Sequence, residues 1–194
     1  MKLPAWGVLV LGVLGFGCIS SRGAAQDSST PSTARTEAGW RRIGHLPPVH
    51  QKGAKDCGAA ALSSVLAYWR QPAPPPAIDR EHIDAALRSS PKEGLSAGAL
   101  RDYARKQGFH AYVFNGQFDD LTHEIEAGRP VIVGVHKPVS DKEWLSHYEV
   151  VIGYHRQQQL VLLFDPARGV RQDRLGGFVE QWQRAGRTTL VVMP

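Results

Sequence analysis

Cys57, His147 and Asp165 are the three residue types that together activate a thiol, and this 194-residue chain carries them in that order. Cys57 ends the run Gln51-Lys52-Gly53-Ala54-Lys55-Asp56-Cys57 and opens an apolar helical segment. The positive end of a helix dipole at such a position favours thiolate over thiol. His147 opens a β-rich run and Asp165 closes the next one. An imidazole and a carboxylate on neighbouring strands would complete the activation of a nucleophilic sulfur.

The segments that must position these groups follow from periodicity and punctuation. Gly58 to Arg70 carries Leu62, Val65, Leu66 and Trp69 as a helical stripe. Pro72 ends it, and Pro74-Pro75-Pro76 make a stiff connector. Asp79 caps a helix running to Leu87, and Ser96 caps another over Ala97 to Lys106, with Gly108 as its stop. Phe109 to Phe114 reads as a strand. A helix beginning at Asp119 or Asp120 ends near Gly128, and Pro130 leads into the strand Val131 to Val135. His147 to Tyr154, Leu160 to Phe164 and Thr188 to Met193 are strand-like, and Gly176 to Arg184 forms one late helix. Helices first and antiparallel strands later predict an α+β fold. A single folded domain is expected from about Trp40 to Pro194.

The N-terminus reads as targeting rather than structure. Met1-Lys2 precedes an apolar run from Leu3 to Gly17, a secretory signal peptide over residues 1–17. Gly15-Phe16-Gly17-Cys18 resembles a bacterial lipoprotein signal, with Cys18 as the lipidated first residue of the mature chain. Ordinary cleavage after Gly23-Ala24-Ala25 is the rival. Residues 18–39 are rich in Ser, Thr and Ala and predict a flexible tether. The expected location is the cell envelope outside the cytoplasm, on a membrane facing the periplasm or exterior. Cys18 and Cys57 are the only cysteines, so the sole possible internal disulfide would tie the leader to the domain.

Several function classes recede. The formal charge of +5 is scattered and never alternates with aromatic residues, so nucleic acid is not an expected partner. His45, His50, His82, His110, His123, His136 and His155 show no metal-ligand spacing. Glycine-rich stretches lack the pattern of a phosphate loop. No metal and no cofactor are expected.

Gln51 to Ala61, His147-Tyr148-Glu149-Val150-Val151-Ile152-Gly153-Tyr154 and Asp165-Pro166-Ala167-Arg168-Gly169 together resemble peptidase family C39, the double-glycine peptidases of papain-like fold. The likeness covers most of the chain from about His45. It implies helices, with the cysteine at a helix start, packed on an antiparallel sheet. Cys57 would then be the nucleophile, and His147 the base that later protonates the departing amine. Asp165 would orient the imidazole, although an Asp before Pro166 also suits a turn. Gln51 would join the Cys57 backbone N–H as oxyanion donor, a contribution of roughly 3 kcal/mol. The implied partner is a peptide or protein substrate, met at the membrane through the lipid anchor. Many members are fused to transporter spans and cut bacteriocin leaders after a glycine pair, and nothing in this chain resembles such spans.

Two positions depart from the family pattern. Ala59 follows Cys57-Gly58 where proline is frequent, and helix initiation survives that change. Glu149 replaces an apolar residue on the same strand face as His147. There it would raise the histidine's pKa or bind a substrate cation, or a local twist would leave it solvated, the arrangement slightly favoured. Trp144 would either line the substrate groove or cap the core. A catalytically silent peptide-binding module of the same fold, or an acyl transferase using the same thiol, are the alternative functions.

Overall fold

Helix α1 spans Cys57–Trp69, but its burial is not the one-sided stripe its large residues predict. Every residue from Cys57 to Ala67 is buried. Gly58, Ala59, Ala60, Ala61, Ser63 and Ser64 fill the faces between the large side chains, and residues this small let neighbours close in all round. A Cβ on Gly58 would meet the Tyr148 ring at 3.1 Å. The computed structural model describes residues 35–70, 78–88, 90, 93–140 and 142–194, all within one unit running from Pro31 to Pro194. Cys18, the signal segment and most of the expected tether lie outside the described residues.

The remaining helices follow their capping chemistry. Asp79 accepts the His82 N–H at the start of α2, Arg80–Leu87. Ser96 does the same for the Ala99 N–H at α3, Ala97–Lys106. Helix α4, Phe118–Glu126, starts slightly before the expected Asp119 because Gln117 takes the cap position. The Gln117 N–H donates to the Asp120 carboxylate at 2.6 Å, so Asp120 serves the first turn instead of preceding it. Helix α5 is Leu175–Arg184. Gly108, Gly128 and Gly186 all hold positive φ after α3, α4 and α5. In each case the next N–H reaches back to the helix: Phe109 to Ala104, Arg129 to Glu124, Arg187 to Trp182. These paired closing bonds need a left-handed residue that only glycine adopts cheaply.

Among the described residues, eight strands make one sheet: β1 Arg35–Glu37, β2 Trp40–Arg42, β3 His110–Asn115, β4 Val131–Pro138, β5 Trp144–His155, β6 Leu160–Asp165, β7 Gly169–Arg174 and β8 Thr188–Met193. Their order is β1-β2-β5-β4-β8-β3, with β6 on β5 and β7 on β6. All pairings are antiparallel. Strand β1 pairs with β2 on the N-terminal side of Trp40, where the sequence places the domain's start. The sequence does not announce β1, which falls in the expected tether, β2 or β7; in β7, Val170, Arg171, Gln172, Asp173 and Arg174 carry no apolar alternation.

Val131 to Val135 of β4 is buried throughout, and α1, α4 and α5 all pack on this strand. With helices covering it and β5 and β8 on its two edges, β4 is the centre of the core. Its partner β5 carries His147 opposite Val135 and Glu149 opposite Val133. Strand β6 lies on the other edge of β5, and its last residue is Asp165. The antiparallel ladder thus places His147 and Asp165 together from 18 residues apart in the chain.

Candidate active site

The turn before α1 is folded around one carboxylate. Asp56 is 4% exposed, and its two oxygens accept the Lys52 and Gly53 N–H groups at 3.0 Å each. Arg80 of α2 donates to the same carboxylate and is itself buried. Burial alone would raise the Asp56 pKa, but the two backbone donors and the guanidinium outweigh it and hold the group below its ordinary value. This carboxylate fixes the loop from Gln51 to Cys57 and therefore where the sulfur sits. The one sequence signal for this role is an Asp directly before a helix start.

Cys57 is buried to 7% exposure and lines a cleft of about 370 Å³ together with His147. Lys55, Leu95, Gly134, His136, Ser146 and Tyr148 complete much of that wall. A second hollow of similar volume, lined by Ile43, Leu46, Ile152, Leu162, Phe164 and Val170 among others, contains no nucleophile.

His147 Nε2 lies 2.8 Å from Asp165 Oδ1. That bond leaves Nδ1 free of Asp165, and Cys57, on the wall of the same cleft, is close enough for its charge to act on the imidazole. Burial pulls the imidazolium down, but hydrogen bonds to Asp165 and Cys57 and the charge on both groups prevail. The ring's pKa is raised to about 9. A ring that keeps its proton stabilises negative charge on the facing sulfur.

Asp165 turns the chain and meets His147 at once. Its Oδ1 accepts the Ala167 N–H at 2.9 Å, and the Arg168 N–H donates to its carbonyl at 3.1 Å. Gly169, at φ +86°, completes the three-residue connection into β7. Burial would raise the Asp165 pKa, but hydrogen bonds from His147, Lys137 and the Ala167 N–H hold it far below the usual carboxylate range.

Gln51 is tied to that same turn through its backbone, whose N–H donates to the Pro166 carbonyl at 3.0 Å. Its side-chain Nε2 donates to the Gly53 carbonyl at 2.9 Å, and its Oε1 is buried without a protein partner. A carboxamide has two N–H groups, so one donor remains for an oxyanion.

Glu149 corrects two of the three expectations for it. It is 0% exposed rather than solvated, and no surface remains by which it could bind a substrate cation. Its Oε1 is held by Lys137 and, at 2.7 Å, by Arg171 Nη2. A buried carboxylate requires such partners, and β7 supplies one of them. Trp144 is half-buried at the start of β5, under the Arg184 guanidinium at 4.1 Å, and does not line the cleft that holds Cys57. Ligand atoms of His147, Glu149 and Asp165 lie within 4.8 Å of one another, a spacing that suits a metal ion. The Lys137 ammonium already bridges both carboxylates, so the positive charge there is met by a side chain.

A model of the peptidase C39 family matches residues 45–193. A C39-like peptidase from Bacillus anthracis superimposes with a TM-score of 0.63 at 18% identity, over 79% of this chain and 96% of that one. The peptidase domain of Streptococcus ComA, a bi-functional ABC transporter of a quorum-sensing pathway, gives 0.58 at 25% identity, over 77% and 99%. A double glycine motif protease from an AMS/PCAT transporter, in complex with the leader peptide, gives 0.58 at 21% identity, over 79% and 95%. The α+β arrangement is therefore the papain-like one of these peptidase domains. No curated protein sequence matches the chain.

Proposed function

The chain belongs to the peptidase C39 family, and from that premise we propose a cysteine peptidase that uses Cys57, His147, Asp165 and Gln51. One observation carries the assignment of residues. The 2.8 Å contact from His147 Nε2 to Asp165 leaves the other ring nitrogen for the sulfur, in a cleft whose wall Cys57 and His147 share.

Cys57 Sγ attacks the scissile carbonyl carbon, and the electron pair of the C=O bond moves onto oxygen. The Cys57 N–H, at a helix start, and the free Gln51 amide N–H stabilise that oxyanion. His147 passes its proton to the amine as the C–N bond breaks, leaving an acyl-thioester. Water then attacks, His147 takes its proton, and the C–S bond breaks. Asp165 keeps the ring oriented and its positive charge compensated throughout.

Among the described residues no helix is long and apolar enough to cross a membrane. A lipid on Cys18 holds the peptidase outside the cytoplasm, with the residues between Cys18 and β1 as its tether. Incorporation of a labelled fatty acid tests that anchor.

The enzyme is tested on the full chain. Iodoacetamide should alkylate Cys57 faster than a model thiol near neutral pH, and a broad peptide library should contain cleaved members. Cys57→Ala should abolish cleavage. Ordinary thiol reactivity with no cleavage across the library would sink the peptidase.

A further inference from the structure

Four ionisable side chains from four successive strands meet on the Asp165 side of His147. They are Lys137 of β4, Glu149 of β5, Asp165 of β6 and Arg171 of β7. The two carboxylates are each 1% exposed. Lys137 Nζ lies 2.6 Å from Asp165 Oδ2 and also pairs with Glu149. Arg171 lies 2.7 Å from Glu149, 3.6 Å from Asp165 Oδ2, and pairs with Asp173 at the outer end.

A glutamate is costly here. Its cross-strand partner Val133 and its strand neighbours Val150 and Val151 are fully or almost fully buried. Its Oε1 takes two cations while Oε2 has no hydrogen-bond partner. A side chain placed for hydrogen bonding would use both oxygens; this one contributes charge.

We propose that Glu149, with Lys137 and Arg171, forms a set of positioning residues that fixes the charge state of His147. Lys137 alone would draw on the Asp165 carboxylate that holds the imidazolium, and so weaken the ring's grip on its proton. Glu149 shares Lys137 with Asp165 and engages Arg171, so two anions balance two cations. Its own carboxylate also lies within 4.8 Å of a His147 ring nitrogen, close enough to favour the protonated ring. The ring can then stay charged opposite the sulfur.

The other groups around His147 do not supply this balance. Cys57 of α1, the uncharged Tyr148, His136 and Lys55 line the cleft with His147. No carboxylate other than those of Asp165 and Glu149 completes the three-residue cluster with His147 among the described residues. The inference rests on the reading of Cys57 and His147 as nucleophile and base, but it is measured without a substrate.

The experiment titrates the His147 ring by NMR in the full chain, with its signal identified by its loss in His147→Gln. The pH profile of Cys57 alkylation is measured in parallel. Glu149→Gln should lower the ring's midpoint by about one unit, a tenfold fall in proton affinity. Lys137→Met should raise it, and the double variant should return towards the parent value. A cluster that merely holds the strands together predicts lower melting temperatures with an unmoved midpoint, and that result overturns the inference. Should Glu149→Gln fail to fold, Lys137→Met decides alone: a raised midpoint supports the charge balance, an unchanged one refutes it. Failure to cleave peptides would remove the enzyme and leave these midpoints to be judged by themselves.

Discussion

The loop before Cys57 and the turn after Asp165 are both built on a buried carboxylate, but the two carboxylates are satisfied by different kinds of partner. Asp56 accepts two backbone N–H groups and one arginine. Asp165 accepts one backbone N–H, and otherwise faces a histidine and a lysine whose charges are coupled to further groups. The first arrangement fixes chain geometry. The second fixes geometry and protonation together. Removing either carboxylate should impair cleavage, but the two losses should be distinguishable in how they depend on pH.

Asp165→Asn should give the largest effect. An amide keeps the turn but cannot compensate an imidazolium, so cleavage should fall by about 10⁴-fold. The pH dependence of stability should change with it. A folded-state pKa raised from 6.5 to about 9 contributes stability that is fully present below 6.5 and lost as pH rises through 9. The parent protein's melting temperature should therefore decline across that window, and Asp165→Asn should flatten the decline. An equal decline in both proteins would show that His147 and Asp165 are not coupled.

Asp56→Asn should act through geometry. It leaves Arg80 buried beside a neutral group, so the domain should lose roughly 3 kcal/mol in urea unfolding. The Asp56 pKa lies below 3.8, so this contribution is present at neutral pH and disappears only as acid protonates the carboxylate. Cleavage should fall while the pH profile of Cys57 alkylation keeps its midpoint. A shifted midpoint would erase the contrast between the two carboxylates.

Local rules make much of this fold legible in the sequence. Asp79, Ser96, Gly108 and Gly128 mark helix ends through chemistry confined to a few residues, and the Val- and Leu-rich runs announce their strands. What escapes is everything decided across strands. Strand β7 lacks apolar alternation because Arg171 turns inward to a buried glutamate, so its pattern makes sense only once Glu149 is placed. Lys137, at the end of an apolar run, gives no sign that it will meet two carboxylates. Gln117 displaces the expected α4 start because a capping pair competes with Asp119 for the first turn. The Cys, His and Asp positions are found by motif and strand alternation sets Glu149 beside His147, whereas the Lys137 and Arg171 that meet this glutamate give no sign of it.

Gly169 and Gly128 provide the smallest and sharpest comparison. Both hold positive φ, at +86° and +74°, and a Cβ on Gly169 would meet only the His50 ring, at an ordinary 3.7 Å. Alanine at either position should cost about 1 kcal/mol of stability through the left-handed backbone. Only Gly169 closes the turn in which Asp165 meets the Ala167 N–H and the Gln51 N–H meets Pro166. Gly169→Ala should therefore lower kcat, because a small shift in the turn misaims the carboxylate. Gly128→Ala, at the end of α4, should match its loss in melting temperature with no change in kcat. Equal kinetics in the two variants would mean that the turn tolerates displacement, and that the strand ladder of β5 and β6 alone aims Asp165.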